Sequence, residues 1–149
     1  MNSRSWVAAL LLVLVAGEAF GQQPVAAGRI KVVSGSAFIV RAGGLVPARA
    51  GQEVYQADGL RTGGGGRLGI TLKDDTRLSL GPNSEVRLDR FAYAPAEGQV
   101  GFVLKVVRGI VAYVSGRIAK LSPDSIRLET PGAIVGVRGT SLAIRAVPE

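Results

Sequence analysis

The residues whose types and spacing could do chemistry are few. They are Asp74-Asp75, the glycine run Gly63 to Gly66, and arginines at 67, 77, 87, 117 and 127. The chain of 149 residues contains no histidine and no cysteine. That excludes a Ser-His-Asp triad, a thiolate nucleophile, and metal sites built on imidazole or thiolate. No serine stands three residues before a lysine, so Ser-Lys hydrolase chemistry lacks its pattern as well. Asp74-Asp75 is followed by Thr76, and an Asp-Asp-Thr run is turn chemistry; alone it supplies too few oxygens for calcium. The glycine run is followed by Arg67-Leu68 rather than Lys-Ser or Lys-Thr, and by a strand pattern rather than a helix. A phosphate-cradling loop needs both missing features. The residues therefore point away from an enzyme, and no cofactor or metal is expected.

The arginines carry the remaining chemical signal. Arg67, Arg77 and Arg87 are ten residues apart and each precedes a leucine; Arg117 and Arg127 fall on the same register. In a meander, residues so spaced lie towards opposite ends of neighbouring strands. In a solenoid-like roll they stack about 4.8 Å apart. Stacked like charges destabilise a sheet unless acids interleave or an anion binds. Asp74, Asp75, Glu85, Asp89 and Glu129 are available to interleave. Two readings follow: a solvated face with scattered ion pairs, or an anion-binding stripe. The net charge of +7 and the pI near 10.6 agree with either.

The elements that must position these residues are strands. From Arg67 to Tyr93, Leu68, Ile70 and Leu72 alternate with polar or small residues, then Leu78 and Leu80, then Val86 and Leu88. Period two marks strands with one buried and one wet face. Asp74 to Thr76 and Gly81 to Ser84 are turn-formers between them. On the same logic Gly28 to Arg41 reads as a hairpin, and Val100 to Val107 with Ile110 to Ser115 as another, turning at Arg108-Gly109. Leu45 to Gln52 reads as irregular because of Pro47. Arg117 to Ser125 fits a loop, a short strand or one helical turn. The pattern predicts an all-β fold of about ten short strands: a two-layer sandwich, a small barrel or a solenoid-like β-roll.

Met1 to Arg4 is a charged start, Trp6 to Ala16 an unbroken apolar run, and Ala19-Phe20-Gly21 a small-residue exit. This is signal-peptide chemistry, and the run is too short for a bilayer core, which takes about 20 residues. The expected division is residues 1–21 a signal peptide with its helix, 22–27 a polar lead, and 28–149 one all-β domain. Export predicts a periplasmic protein with no membrane span after cleavage and weakens a nucleic-acid partner. A basic exported domain instead meets acidic envelope proteins or anionic polymers such as lipopolysaccharide and cell-wall glycan.

Three stretches carry a family resemblance: Gly59 to Gly63 (GLRTG), Gly66 to Leu88, and Glu129 to Ile144 (ETPGAIVGVRGTSLAI). With the segment Val32 to Gly43 they resemble a FecR-type domain over nearly the whole chain after the leader. Gly59, Thr62 and Gly63 belong to the first stretch. Thr130, Pro131, Arg138, Gly139 and Thr140 form the most specific part. Family members commonly place glycine in the central turn where this chain has Asp75, which predicts a less tight turn. The resemblance implies a periplasmic all-β interaction or sensory module that binds another envelope protein in a signalling pathway. In the regulators that name the family, a cytoplasmic helical domain and a membrane span come first. The sequence shows neither, so it is expected to stand alone, without sigma-factor binding of its own. The motif residues are expected to be structural. Arg138, in an apolar setting, is expected to tie two β-layers by bonding carbonyls or an acid such as Asp58 or Asp75, rather than to bind a ligand.

Overall fold

A computed structural model describes residues 24–148. The signal-peptide expectation for residues 1–21 lies outside them. Twelve strands follow in order: β1 (Ala26–Ser34), β2 (Ala37–Arg41), β3 (Gly44–Pro47), β4 (Glu53–Tyr55), β5 (Gly59–Thr62), β6 (Arg67–Leu72), β7 (Arg77–Leu80), β8 (Glu85–Ala94), β9 (Gln99–Val114), β10 (Ile126–Thr130), β11 (Ala133–Gly136) and β12 (Ser141–Ala146). One short helix, α1 (Arg117–Leu121), and a single 3-10 turn at Pro123–Ser125 bridge β9 to β10. The all-β expectation holds, and β3 is a short strand where the pattern predicts irregular chain.

The long strand β9 belongs to both halves of the fold. Its first half pairs antiparallel with β8 and parallel with β10. Its second half pairs antiparallel with β7 and β12. One half of the sheet therefore runs β3-β2-β5-β8-β9-β10-β11 and the other β4-β1-β6-β7-β9-β12. The sheet curls, and the inward aliphatics of both halves meet in one core that includes Ile39, Leu60, Leu68, Ile70, Leu104 and Leu128. Each such side chain contributes roughly 1.5–3 kcal/mol by leaving water. Phe102 and Tyr113 lie stacked at its centre, ring centroids 6.0 Å apart.

Two expected hairpins are corrected. β1 and β2 do not pair; β1 joins β4 and β6, while β2 joins β3 and β5. The corner between them is sealed by the glycine run. Gly63 N donates to Ser36 O at 2.9 Å, and a Cβ on Gly66 would overlap that same carbonyl. The run is thus a place where backbones touch. Arg108-Gly109 is likewise no hairpin turn. β9 continues through it and changes sheet partners there, with Gly109 at φ +89°. Ser84 Oγ, buried against this bend, accepts the Ile110 N–H at 2.9 Å. Pro47 ends β3 rather than preventing it, which an edge strand tolerates.

The β6–β7 turn is tight, against expectation. Asp75 adopts φ +69°, a left-handed conformation that Asp tolerates, and its N–H donates to Leu72 O at 3.0 Å.

Candidate functional site

A cleft of about 720 Å³ opens between the α1–β10 connection and the β11–β12 connection. Ala119, Pro123, Asp124 and Ile126 form one side; Gly136, Val137, Arg138 and Gly139 form the other. Its α1 wall is held from below. Asp74 is fully buried, and its carboxylate accepts the Thr76 N–H at 3.1 Å, the Thr76 hydroxyl at 2.7 Å and the Ile118 N–H at 3.2 Å. Arg117 N also donates to Asp74 O at 2.7 Å. The Asp-Asp-Thr turn therefore does more than reverse the chain: it fixes where α1 starts and where Ile118 enters the core.

The opposite wall is the β10–β11 hairpin and its continuation. Val135 packs on the core and Val137 is buried, so β11 is held from the inside. Ile134, on the other face of the strand, is 68% exposed. β11 pairs only with β10, and its free side is an edge. The other three edges are guarded as edges usually are. β3 ends in Pro47, β4 has three residues and carries Glu53, and β12 carries Arg145. β11, Ala-Ile-Val-Gly, has no charge and no proline. It presents unpaired backbone groups beside a cleft, the geometry that accepts an added strand.

The motif residues fall into two groups. Gly59, Thr62 and Gly63 lie at an inner corner. Thr62 Oγ1 donates to Gly81 O at 2.6 Å and accepts the Ser84 N–H at 2.9 Å. Thr130, Pro131, Arg138, Gly139 and Thr140 surround β11. Thr130 Oγ1 donates to Ala133 O at 3.3 Å, and Thr140 O accepts the Ser115 N–H at 2.9 Å. Arg138 departs from its expected position. It is exposed on the cleft rim and makes no ion pair or side-chain hydrogen bond among the described residues.

Arg41 makes the tie that was expected of Arg138. Its Nε and Nη2 donate to the two oxygens of buried Asp58 at 3.0 and 2.7 Å. Asp58 also accepts the Tyr55 N–H at 2.8 Å, and the guanidinium lies 5.0 Å over the Tyr55 ring. The hydrogen bond to Asp58 raises the Arg41 pKa above its ordinary value. A 17-residue separation and an ordinary Asp-Gly turn gave no local sign of this pair.

The five arginines of the ten-residue register are dispersed. Arg67 and Arg77 lie towards opposite ends of β6 and β7, Arg87 and Arg127 are in the other half, and Arg117 is on α1. Arg87 pairs with Asp89, Arg117 lies 3.2 Å from Asp75, and Arg127 lies 3.8 Å from Glu129. Arg87 and Lys105 are direct cross-strand neighbours, with Glu129 next in the row.

Among the described residues no group of three or more carboxylates is placed to hold a metal ion, and no helix is long and apolar enough to cross a membrane. A family model described as FecR protein matches residues 58–149, which span β5 to β12 and contain the cleft, the edge strand and both groups of motif residues. No curated protein and no solved structure matches the chain significantly.

Proposed function

Because the chain belongs to the FecR protein family, we propose that it is a periplasmic sensory or regulatory module that works by binding another envelope protein rather than by catalysis. The observation that carries this reading is β11, the one edge strand among the described residues with neither charge nor proline. A partner segment adds to it as a further strand. The backbone pairing supplies affinity, and a side chain lodged between Ala119, Ile126 and Val137 in the adjoining cleft supplies selectivity. Arg138 and Asp124 on the two rims favour a segment bearing both charge signs.

The test is affinity capture from the envelope extract of the producing cell, with the full chain as bait, at low and at high salt. Strand addition predicts capture that survives high salt, because backbone pairing is little screened. It also predicts loss of capture by Ile134→Lys, a charge placed on the free edge. Capture that collapses with salt and ignores Ile134→Lys would contradict the reading.

A further inference from the structure

The two outer faces of the curled sheet differ in charge pattern. Outside β8 and β10, each carboxylate has a basic neighbour. Glu85 lies 3.0 Å from Arg61 and 3.5 Å from Arg108, Asp89 pairs with Arg87, and Glu129 lies 3.8 Å from Arg127. The opposite outer face belongs to the β4-β1-β6-β7-β9-β12 half; β6, β7, the second half of β9 and β12 contain no Asp or Glu, and Glu53 on β4, at the far edge, pairs with Arg29. Its centre carries small side chains: Gly69, Ser79, Ala112 and Ala143 follow one another across the four strands. Ile110 and Val114 stand beside this row, 49% and 40% exposed.

Three arginines mark the corners of this face. Arg67 is one residue beyond the Leu68–Leu80 pair, Gly81 N donates to Ile110 O, and Ile110 lies opposite Arg145. Arg67 and Arg145 therefore end one transverse row, roughly 14 Å apart over three strand spacings. Arg77, opposite Val114, is four residues further along, roughly 13 Å away. None of the three has an ion pair or side-chain hydrogen bond among the described residues. Asp75, two residues before Arg77, pairs with Arg117 at 3.2 Å, and Glu53 on β4 pairs with Arg29 at 3.4 Å.

We propose that this face docks on an anionic phospholipid bilayer. Three guanidinium groups without an ion pair, on strands that carry no acid, match a negative surface. Ile110 and Val114 decide between a bilayer and a soluble polyanion. Exposed aliphatics on the same face gain by entering the boundary between headgroups and acyl chains, and a soluble polyanion offers them nothing. The face is separate from β11, so the domain can lie on a membrane with its edge strand free.

The test is co-sedimentation of the full chain with vesicles of phosphatidylcholine, with and without phosphatidylglycerol. The parent is compared with Arg67→Gln/Arg77→Gln/Arg145→Gln. The apolar N-terminal run is the same in both chains, so the difference reports on this face. At low salt each arginine is worth about fivefold in partitioning and the three together on the order of a hundredfold. Added salt should erase most of that gain. Ile110→Ser should lower binding further in a salt-independent way. Arg87→Gln/Arg127→Gln and Ile134→Lys should leave vesicle binding unchanged, which keeps this result separate from the strand-addition test. All three arginines are exposed, so the triple variant should keep the parent's circular dichroism and unfolding midpoint; Arg77→Gln alone, with a fivefold loss, is the fallback. Equal partitioning of parent and triple variant onto phosphatidylglycerol vesicles would overturn the proposal. So would a triple variant that loses only the capture of a soluble acidic protein or polymer.

Discussion

The carboxylate of Asp74 accepts the backbone N–H of Ile118 at 3.2 Å, across 44 residues of chain. The contact joins the β6–β7 turn to the first turn of α1, and so connects the inner core to the wall of the cleft. Asp74 is buried and all its side-chain partners are neutral donors. Asp74→Ala strands three donors and should cost about 2–4 kcal/mol. Asp74→Asn should fall between, because its amide can accept with one atom only and turns N–H towards N–H with the other. Urea unfolding followed by circular dichroism measures both.

Arg41 and Asp58 should behave as a coupled pair. Removing the guanidinium leaves a buried carboxylate with one backbone donor, so Arg41→Ala should cost about 1–3 kcal/mol. Arg138→Ala, on the exposed rim, should cost under about 0.5 kcal/mol. Equal losses at the two positions, measured by the same unfolding titration, would return the tie to Arg138.

Tyr113 gives an alkaline signature. Its hydroxyl is buried and has no hydrogen-bond partner, and burial, with the nearby charge of Asp74, pushes its pKa up to about 12. The unfolded phenol ionises near 10. Between these values the unfolded state binds fewer protons, so stability present below about pH 10 is lost as pH rises through about 12. Tyr113→Phe should remove this term and be neutral or stabilising at pH 7, since it deletes an unsatisfied polar group. Unfolding midpoints of parent and variant from pH 8 to 12 check the slope.

Gly109 should resist replacement. It has φ +89°, and a Cβ there would overlap Ser84. Gly109→Ala should cost more than about 3 kcal/mol or prevent folding, since it opposes the bend that lets β9 serve both halves. Gly132→Ala, in the open turn before β11, has no neighbour to meet and should cost under about 1 kcal/mol.

Strand faces were legible in the sequence, and strand partners were not. Leu68, Ile70, Leu72, Leu78, Leu80, Val86 and Leu88 alternate along the chain and all are buried. At Ser34-Gly35 and Arg108-Gly109 the local signal is the same whether a chain doubles back or crosses to the other half. What decides is a distant approach, Gly66 to Ser36 in one case and Ser84 to Gly109 in the other. The same limit applies to the site. Thr130 to Thr140 stands out by composition, but that β11 is an unguarded edge depends on the parallel pairing of β10 with β9, which period and turn residues do not encode. Arg138 was legible as unusual, yet the strand turns Val137 into the core and leaves Arg138 exposed on the rim. Arg67 and Arg77 belong with Arg145, off the ten-residue register, because antiparallel pairing reverses the strands between them.

The strand-addition account is tested most directly by amide hydrogen exchange of the full chain, alone and with its captured envelope partner. The account predicts new protection at Ala133 to Gly136 and at the cleft residues Val137 to Gly139, with β3, β4 and β12 unchanged. Protection appearing on another edge, or none at β11 while the partner remains bound, would contradict it.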